Sequence, residues 1–140
     1  MDDQPPLRVD PRDEGAHPAD PDDRLWSESY YLDAISDDGS LGLYVRLGDT
    51  RNQDVSLVSL AIIGPDRAPI ILNDGQAPLP VNEGSSWTVT SPDYTLTLDV
   101  TSPVEEFRVV FDGEARTHDD DRAVLRGEAG RPTRVTADLV

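Results

Sequence analysis

The sequence predicts an all-β protein, an antiparallel up-and-down meander closing into a barrel or stopping as a half-barrel. Three observations carry this. Apolar and polar residues alternate with a period of two through most of the chain after Leu25. Turn signals built on Gly, Pro, Asp and Asn separate the alternating runs, and no window shows the 3.6-residue apolar stripe of an amphipathic helix. At 140 residues the chain is one domain with room for a modest core.

Residues 1–24 hold five prolines and eight carboxylates among few apolar side chains, a composition that cannot offset its own ordering entropy. This segment reads as an acidic N-terminal tail, and residues 25–140 as the β-domain. "ESYYLDAI" and "LGLYVRL" flank Asp38-Gly39, a hairpin signal for a two-residue type I′ turn. That turn sets Tyr30 opposite Leu47, Leu32 opposite Val45 and Ala34 opposite Leu43 on one face, which is core. On the other face Tyr31 meets Arg46, Asp33 meets Tyr44 and Ile35 meets Gly42, with Arg46 in diagonal reach of Asp33.

"VSLVSLAIIG" is a more continuously apolar strand ending at "GPDR", followed by the short strand "IIL". "YTLTLDV" places Tyr94, Leu96, Leu98 and Val100 on one face. "FRVVF", "AVLRGEA" and "TRVTADLV" supply the remaining candidates, giving eight or nine strands. Turns are expected at "DDGS", "GPDR", "NDGQ", "NEGSS", "SPD", "TSPVEE" and "FDGE". The last strand ends without a capping turn, so its edge needs cover from the first strand or from another molecule.

Composition narrows the function. Twelve basic residues, all arginine, face 28 carboxylates for a formal charge of −16, which argues against nucleic acid and anionic membranes as partners. Arginine in place of lysine on an Asp-rich surface fits a GC-rich genome or a salt-adapted cytoplasm. The chain lacks cysteine, which removes disulfides, thiolate nucleophiles and cysteine-based zinc sites. It shows no leader-like start and no apolar run near the roughly 18 residues of a membrane span, so a soluble cytoplasmic protein is expected.

Chemical motifs are sparse. His118 followed by Asp119, Asp120 and Asp121 has the composition of a metal cluster, but neighbours on a strand point apart and the spacing fits neither a calcium loop nor a zinc site. No metal site is expected. "NEGSSW" lacks the nucleophile elbow, the only histidines are His17 and His118, and no Gly-rich phosphate loop precedes a helix, so no cofactor is expected either. The Tyr31, Asp33, Tyr44 and Arg46 face is ordinary solvent-side chemistry or the wall of a ligand cavity. Trp26 and Trp87 are core or rim residues, or parts of such a wall.

"HP" at His17-Pro18, then "LWSESYYLDAISDDGSLGLYVRLG" and "TRNQ", resemble the N-terminal half of the lipocalin-like proteins grouped with hydroxyneurosporene synthase (carotenoid hydratase). The likeness is specific over residues 26–52. It implies a calycin-type β-barrel, a hydrophobic ligand such as an isoprenoid, sterol or acyl lipid, and an "HP" segment lying against the barrel. Family members usually carry two such β-domains, so it also implies a second β-domain supplied by another protein or by a homodimer. The positions carried over are Trp26, Glu28, Ser29, Tyr30, Tyr44, Arg46 and Asn52.

The resulting expectation is a small β-barrel binding an apolar small molecule, with ligand-binding residues Trp26, Glu28, Tyr30, Tyr31, Asp33, Tyr44, Arg46, Asn52 and Trp87. Two other readings stand beside it. One is half of a hydratase or isomerase in which a buried Glu28 or Asp33 is a general acid on an isoprenoid alkene. The other is an interaction module that recruits a partner by strand addition.

Overall fold

The structure, a computed structural model, describes residues 10–140. Residues 1–9 of the tail lie outside the described residues. Nine strands make up the fold: β1 (Glu28–Ile35), β2 (Gly42–Thr50), β3 (Val55–Ile63), β4 (Ile70–Ala77), β5 (Val81–Glu83), β6 (Ser86–Thr90), β7 (Tyr94–Ser102), β8 (Glu106–Thr117) and β9 (Arg131–Leu139). The helical content among the described residues is two short 3-10 turns, Pro11–Glu14 and Arg51–Gln53. Among the described residues no helix is long and apolar enough to cross a membrane.

All pairing is antiparallel, in the order β1-β2-β3-β4-β8-β7-β6-β5 with β9 on the other edge of β8. Two meanders, β1 to β4 and β5 to β9, are joined where Ile70 and Ile71 of β4 pair with Thr117 and Arg116 at the end of β8. β4 does not continue into β5, because "PLP" at 78–80 has prolines where ladder donors would be needed. Among the described residues β1 and β9 pair with no further strand, so the sheet folds over on itself without closing into a barrel.

The inner faces of the two halves pack together. Val45, Leu47, Val58 and Leu60 from the first meet Trp87, Val89, Leu96, Leu98 and Phe111 from the second. Every one of these lies on the inward parity of its strand, so the period-two alternation selects the core. Tyr30 crosses between the halves to lie on Trp87, ring centroids 4.3 Å apart. On the opposite flank the Tyr94 hydroxyl donates to Asp74 on β4 at 2.9 Å. Burial and that hydrogen bond both push the Tyr94 phenol up from its usual pKa.

Several sequence expectations are corrected here. The β1–β2 register is as read, Tyr30 opposite Leu47 through Ile35 opposite Gly42, but the connection is not a type I′ turn. Gly39 has positive φ (68°) and Asp38 does not. Gly39 N–H donates to Ser36 C=O at 2.8 Å, and Ser36 N–H donates to Leu41 C=O at 2.8 Å. Asp38 instead gathers the Ser36 and Ser40 hydroxyls and the Ser40 N–H, which holds its pKa down at about 2. The longer loop leaves the register unchanged because the Ser36–Leu41 bond continues the same ladder.

"NDGQ" is a bulge inside β4 rather than a turn: Val58 pairs with Asp74 and Ser56 with Ala77, so β4 carries one extra residue. "FDGE" is likewise mid-strand. A Cβ at Gly113 would collide with the backbone and Cβ of Tyr94, so this glycine permits a close approach. "AVLRGEA" is a run of turns with only Ala123 fully buried, not a strand.

Candidate functional site

The polar face of the opening hairpin is the outer face of its sheet. Tyr31 is 58% exposed, Asp33 and Arg46 are exposed, and Tyr44 is half-buried against Tyr31 in an edge-on contact at 5.2 Å. The Arg46 guanidinium does not reach Asp33; it donates to the Ser29 hydroxyl at 3.2 Å. Alternation dictates this, since the inward positions 30, 32, 43, 45 and 47 meet the other half of the sheet and these four point away. Asp33 is therefore not the buried acid that the enzyme reading needs.

The remaining sequence-selected residues gather at one end of the space between the halves. Glu28 lies opposite Asp49 in the register, and both point inward. Two carboxylates on one inner face need cationic or hydrogen-bonding partners. Asp49, only 3% exposed, accepts from the Arg51 backbone N–H at 3.0 Å and forms an ion pair with its guanidinium. Arg51 in turn lies 6.0 Å from the Trp26 ring centre.

Glu28 accepts from His17 twice, from the backbone N–H at 3.1 Å and from the ring Nδ1. The carboxylate raises the pKa of the imidazole, with a smaller push from Asp13. Asn52 donates from its amide to the carbonyls of Asp20 and Asp23, both at 2.7 Å. On the other half of the sheet, Glu14 accepts from the backbone N–H of Val104, a residue held at φ 67° in the β7–β8 turn. Residues 10–26 thus form a strap fastened to both halves. Trp26, Glu28 and Asn52 are among its fasteners; Arg51, Asp49 and Val104, which residue typing alone did not single out, also take part.

Tyr30 and Trp87 close the space just inside this strap. The Tyr30 hydroxyl is buried with no hydrogen-bond partner among the described residues. Burial, and after it the charge of Glu28, keep the proton on the phenol, so it is a donor.

Further along, the two halves part. A hollow of about 220 Å³ opens between β1 and β8–β9, walled by Leu32, Ala34, Leu43, Phe107, Val109 and Leu139. It shares Leu43 and Leu139 with a second hollow of about 450 Å³, where Ile62 and Ile70 face Val135 and Ala137 of β9. It shares Leu32 and Phe107 with a third of about 280 Å³ under the strap, which His17, Glu28 and Tyr30 also line. The three make one groove along the open side of the sheet, its middle mostly apolar, with Asp13, Glu14, His17 and Glu28 at the strap end and Arg67, Arg134 and Asp138 among the residues of the far hollow. Of the nine residues the sequence suggested, Glu28, Tyr30, Tyr31 and Asp33 line it. Its other walls escaped residue-by-residue reading because they are ordinary core-parity aliphatics whose opposing sheet falls short of them.

His118 is buried at the end of β8, its Nδ1 unpartnered among the described residues and Gly130 packed on its ring. Among the described residues no group of His, Asp and Glu is arranged to hold a metal ion.

Residues 10–140 match the family described as a domain of unknown function (DUF7064), and the chain belongs to it. No curated protein and no solved structure was found to match the chain.

Proposed function

We propose that this chain is a binding module for an apolar small molecule of the isoprenoid, sterol or acyl-lipid class, held in the groove between its two half-sheets. The observation that supports the reading is the hollow walled by Leu32, Ala34, Leu43, Phe107, Val109 and Leu139, six carbon-rich residues among the eight that line it, Asp33 and Val140 being the others. A ligand there would gain about 0.8 kcal/mol for each methylene it buries. The half-open sheet is read as the lipocalin-like half-barrel that the hairpin and "TRNQ" segments resemble.

In this reading the unpaired edges of β1 and β9, which border the groove, take a second β-domain, either another protein or a second copy of the chain. Such cover would exclude water from the ligand. The enzyme reading has less support, since Glu28 is committed to His17 and Asp33 is exposed.

The test is mass spectrometry of an organic extract of the protein purified from its own host, against a mock purification. Enrichment of an isoprenoid, sterol or lipid, lost on Leu43→Asp in a variant that still folds, is the expected result. An empty extract beside a stable protein complex would favour the strand-adding interaction module instead.

A further inference from the structure

The strap end of the groove differs in charge from what an anionic amphiphile requires. Its lining includes the carboxylates of Asp13, Glu14 and Glu28, and the one basic group among its lining residues is His17. That imidazole is already paired with Glu28 through Nδ1. Among the described residues no arginine lines this hollow. A carboxylate or phosphate head placed here would meet three like charges with no guanidinium to receive it.

What the end does offer is neutral hydrogen bonding. His17 has its Nε2 side remaining once Nδ1 faces Glu28. The hydroxyl of the half-buried Tyr30 is covered beside the hollow, near the Glu28 carboxylate, and makes no well-formed hydrogen bond among the described residues. A carboxylate oxygen of Glu28 accepts readily from a hydroxyl. Beyond Leu32 and Phe107, which wall both this hollow and the next, the surface turns apolar. The order along the groove is therefore a polar, net-negative end followed by an apolar stretch, with Arg67, Arg134 and Asp138 among the residues lining its far end.

Resting on the reading of the groove as a ligand site, we propose that its occupant is an apolar molecule with an uncharged oxygen function, an alcohol or ketone. That function lies at His17, Glu28 and Tyr30, and the carbon skeleton runs past Leu32 and Phe107 toward Leu43 and Leu139. The anionic head of a free fatty acid or phospholipid is discriminated against at the strap end by Asp13, Glu14 and Glu28.

The experiment is displacement of the neutral fluorophore N-phenyl-1-naphthylamine from the full chain by 1-decanol and by decanoate, at pH 8 and 0.1 M salt, where the screening length is about 10 Å. An alcohol partitions into any apolar site better than its carboxylate, so the informative quantity is how the ratio of the two changes in a charge variant. Asp13→Asn with Glu14→Gln keeps side-chain shape and one acceptor oxygen on each residue while removing two charges. The expected result is that decanoate binds at least threefold more tightly to this variant than to the native chain, with decanol unchanged within twofold. A ratio that does not move, or both affinities moving together, overturns the head-group assignment while leaving the groove as a binding site. A fluorophore that does not bind the native chain, or that neither competitor displaces, overturns the groove reading itself.

Discussion

The space between the two half-sheets is finished differently at its two ends. Beneath the strap, Tyr30 lies on Trp87, and Val45, Leu47, Val58 and Leu60 are at most 1% exposed. Along the β9 side, Leu43 and Ile62 stand on the same inward parity of the same two strands, yet they are only half-buried, and Leu139 opposite them is 38% exposed. The strands do not differ in pattern between the ends. What differs is whether the other half-sheet, which joins the first through only the Ile70 and Ile71 pairs, reaches across. Alternation decides which face is inward; the reach of the opposing sheet decides whether that face becomes core or groove.

The contrast can be broken most forcefully at Trp87. Trp87→Ala removes the largest fully buried side chain and the partner of Tyr30. Its cost should be about 3–5 kcal/mol by urea unfolding, in the range of buried aromatic truncations. Leu43→Ala, on the same inner surface at the other end, should cost roughly 1–2 kcal/mol, because a half-buried leucine leaves no sealed cavity behind. The smaller loss should be accompanied by weaker binding of an apolar fluorophore. Equal losses at the two positions would mean that the groove is core under solution conditions and that the two ends do not differ.

Parts of this arrangement were legible in the sequence and parts were not, for reasons that attach to particular residues. The β1–β2 register could be read from Asp38-Gly39 even though the turn type was not, since a four-residue loop and a two-residue loop centred on the same bond continue the same ladder. Gly75 and Gly113 were misread as turn formers. The same residue type serves a turn, a bulge or a close approach, and only the neighbouring strand, here Tyr94 against Gly113, tells them apart. Trp26, Glu28 and Asn52 were singled out through the segments that resemble the lipocalin-like family, not through any local chemical pattern. Their work as fasteners of residues 10–26 depends on contacts with Asp20, Asp23 and His17 that no local pattern announces. The groove was hidden most completely, because Leu43 and Leu47 are indistinguishable in sequence.

The strap itself gives the next test. Asn52 closes it with two hydrogen bonds to main-chain carbonyls. Asn52→Ala should release about 1.4 kcal/mol of local stability, within the range for losing such bonds. Tryptic cleavage after Arg24 tracks the population of the opened strap, so the rate should rise about tenfold while the global unfolding midpoint moves much less. A cleavage rate that stays the same would show that Asn52 is not what holds the segment.

The smallest effect separates the two ends by pH. The pKa of His17 is raised in the folded chain by Glu28 and, secondarily, by Asp13, relative to an unfolded value of about 6.5. A raised pKa means that the folded state binds the proton more tightly, so the stabilisation is fully present below about pH 6.5 and is lost as pH rises through the folded pKa. The difference in melting temperature between the native chain and His17→Ala should therefore be widest near pH 6 and should narrow toward pH 9. Leu43 and Ile62 present no titratable group to the apolar stretch of the groove, so the difference between the native chain and Leu43→Ala should stay level over the same range. A His17 difference that grew with pH would reverse the sign of the linkage and show that the Glu28 pair does not fasten the strap. Parallel curves for the two variants would show that the ends of the inter-sheet space are not held by different chemistry.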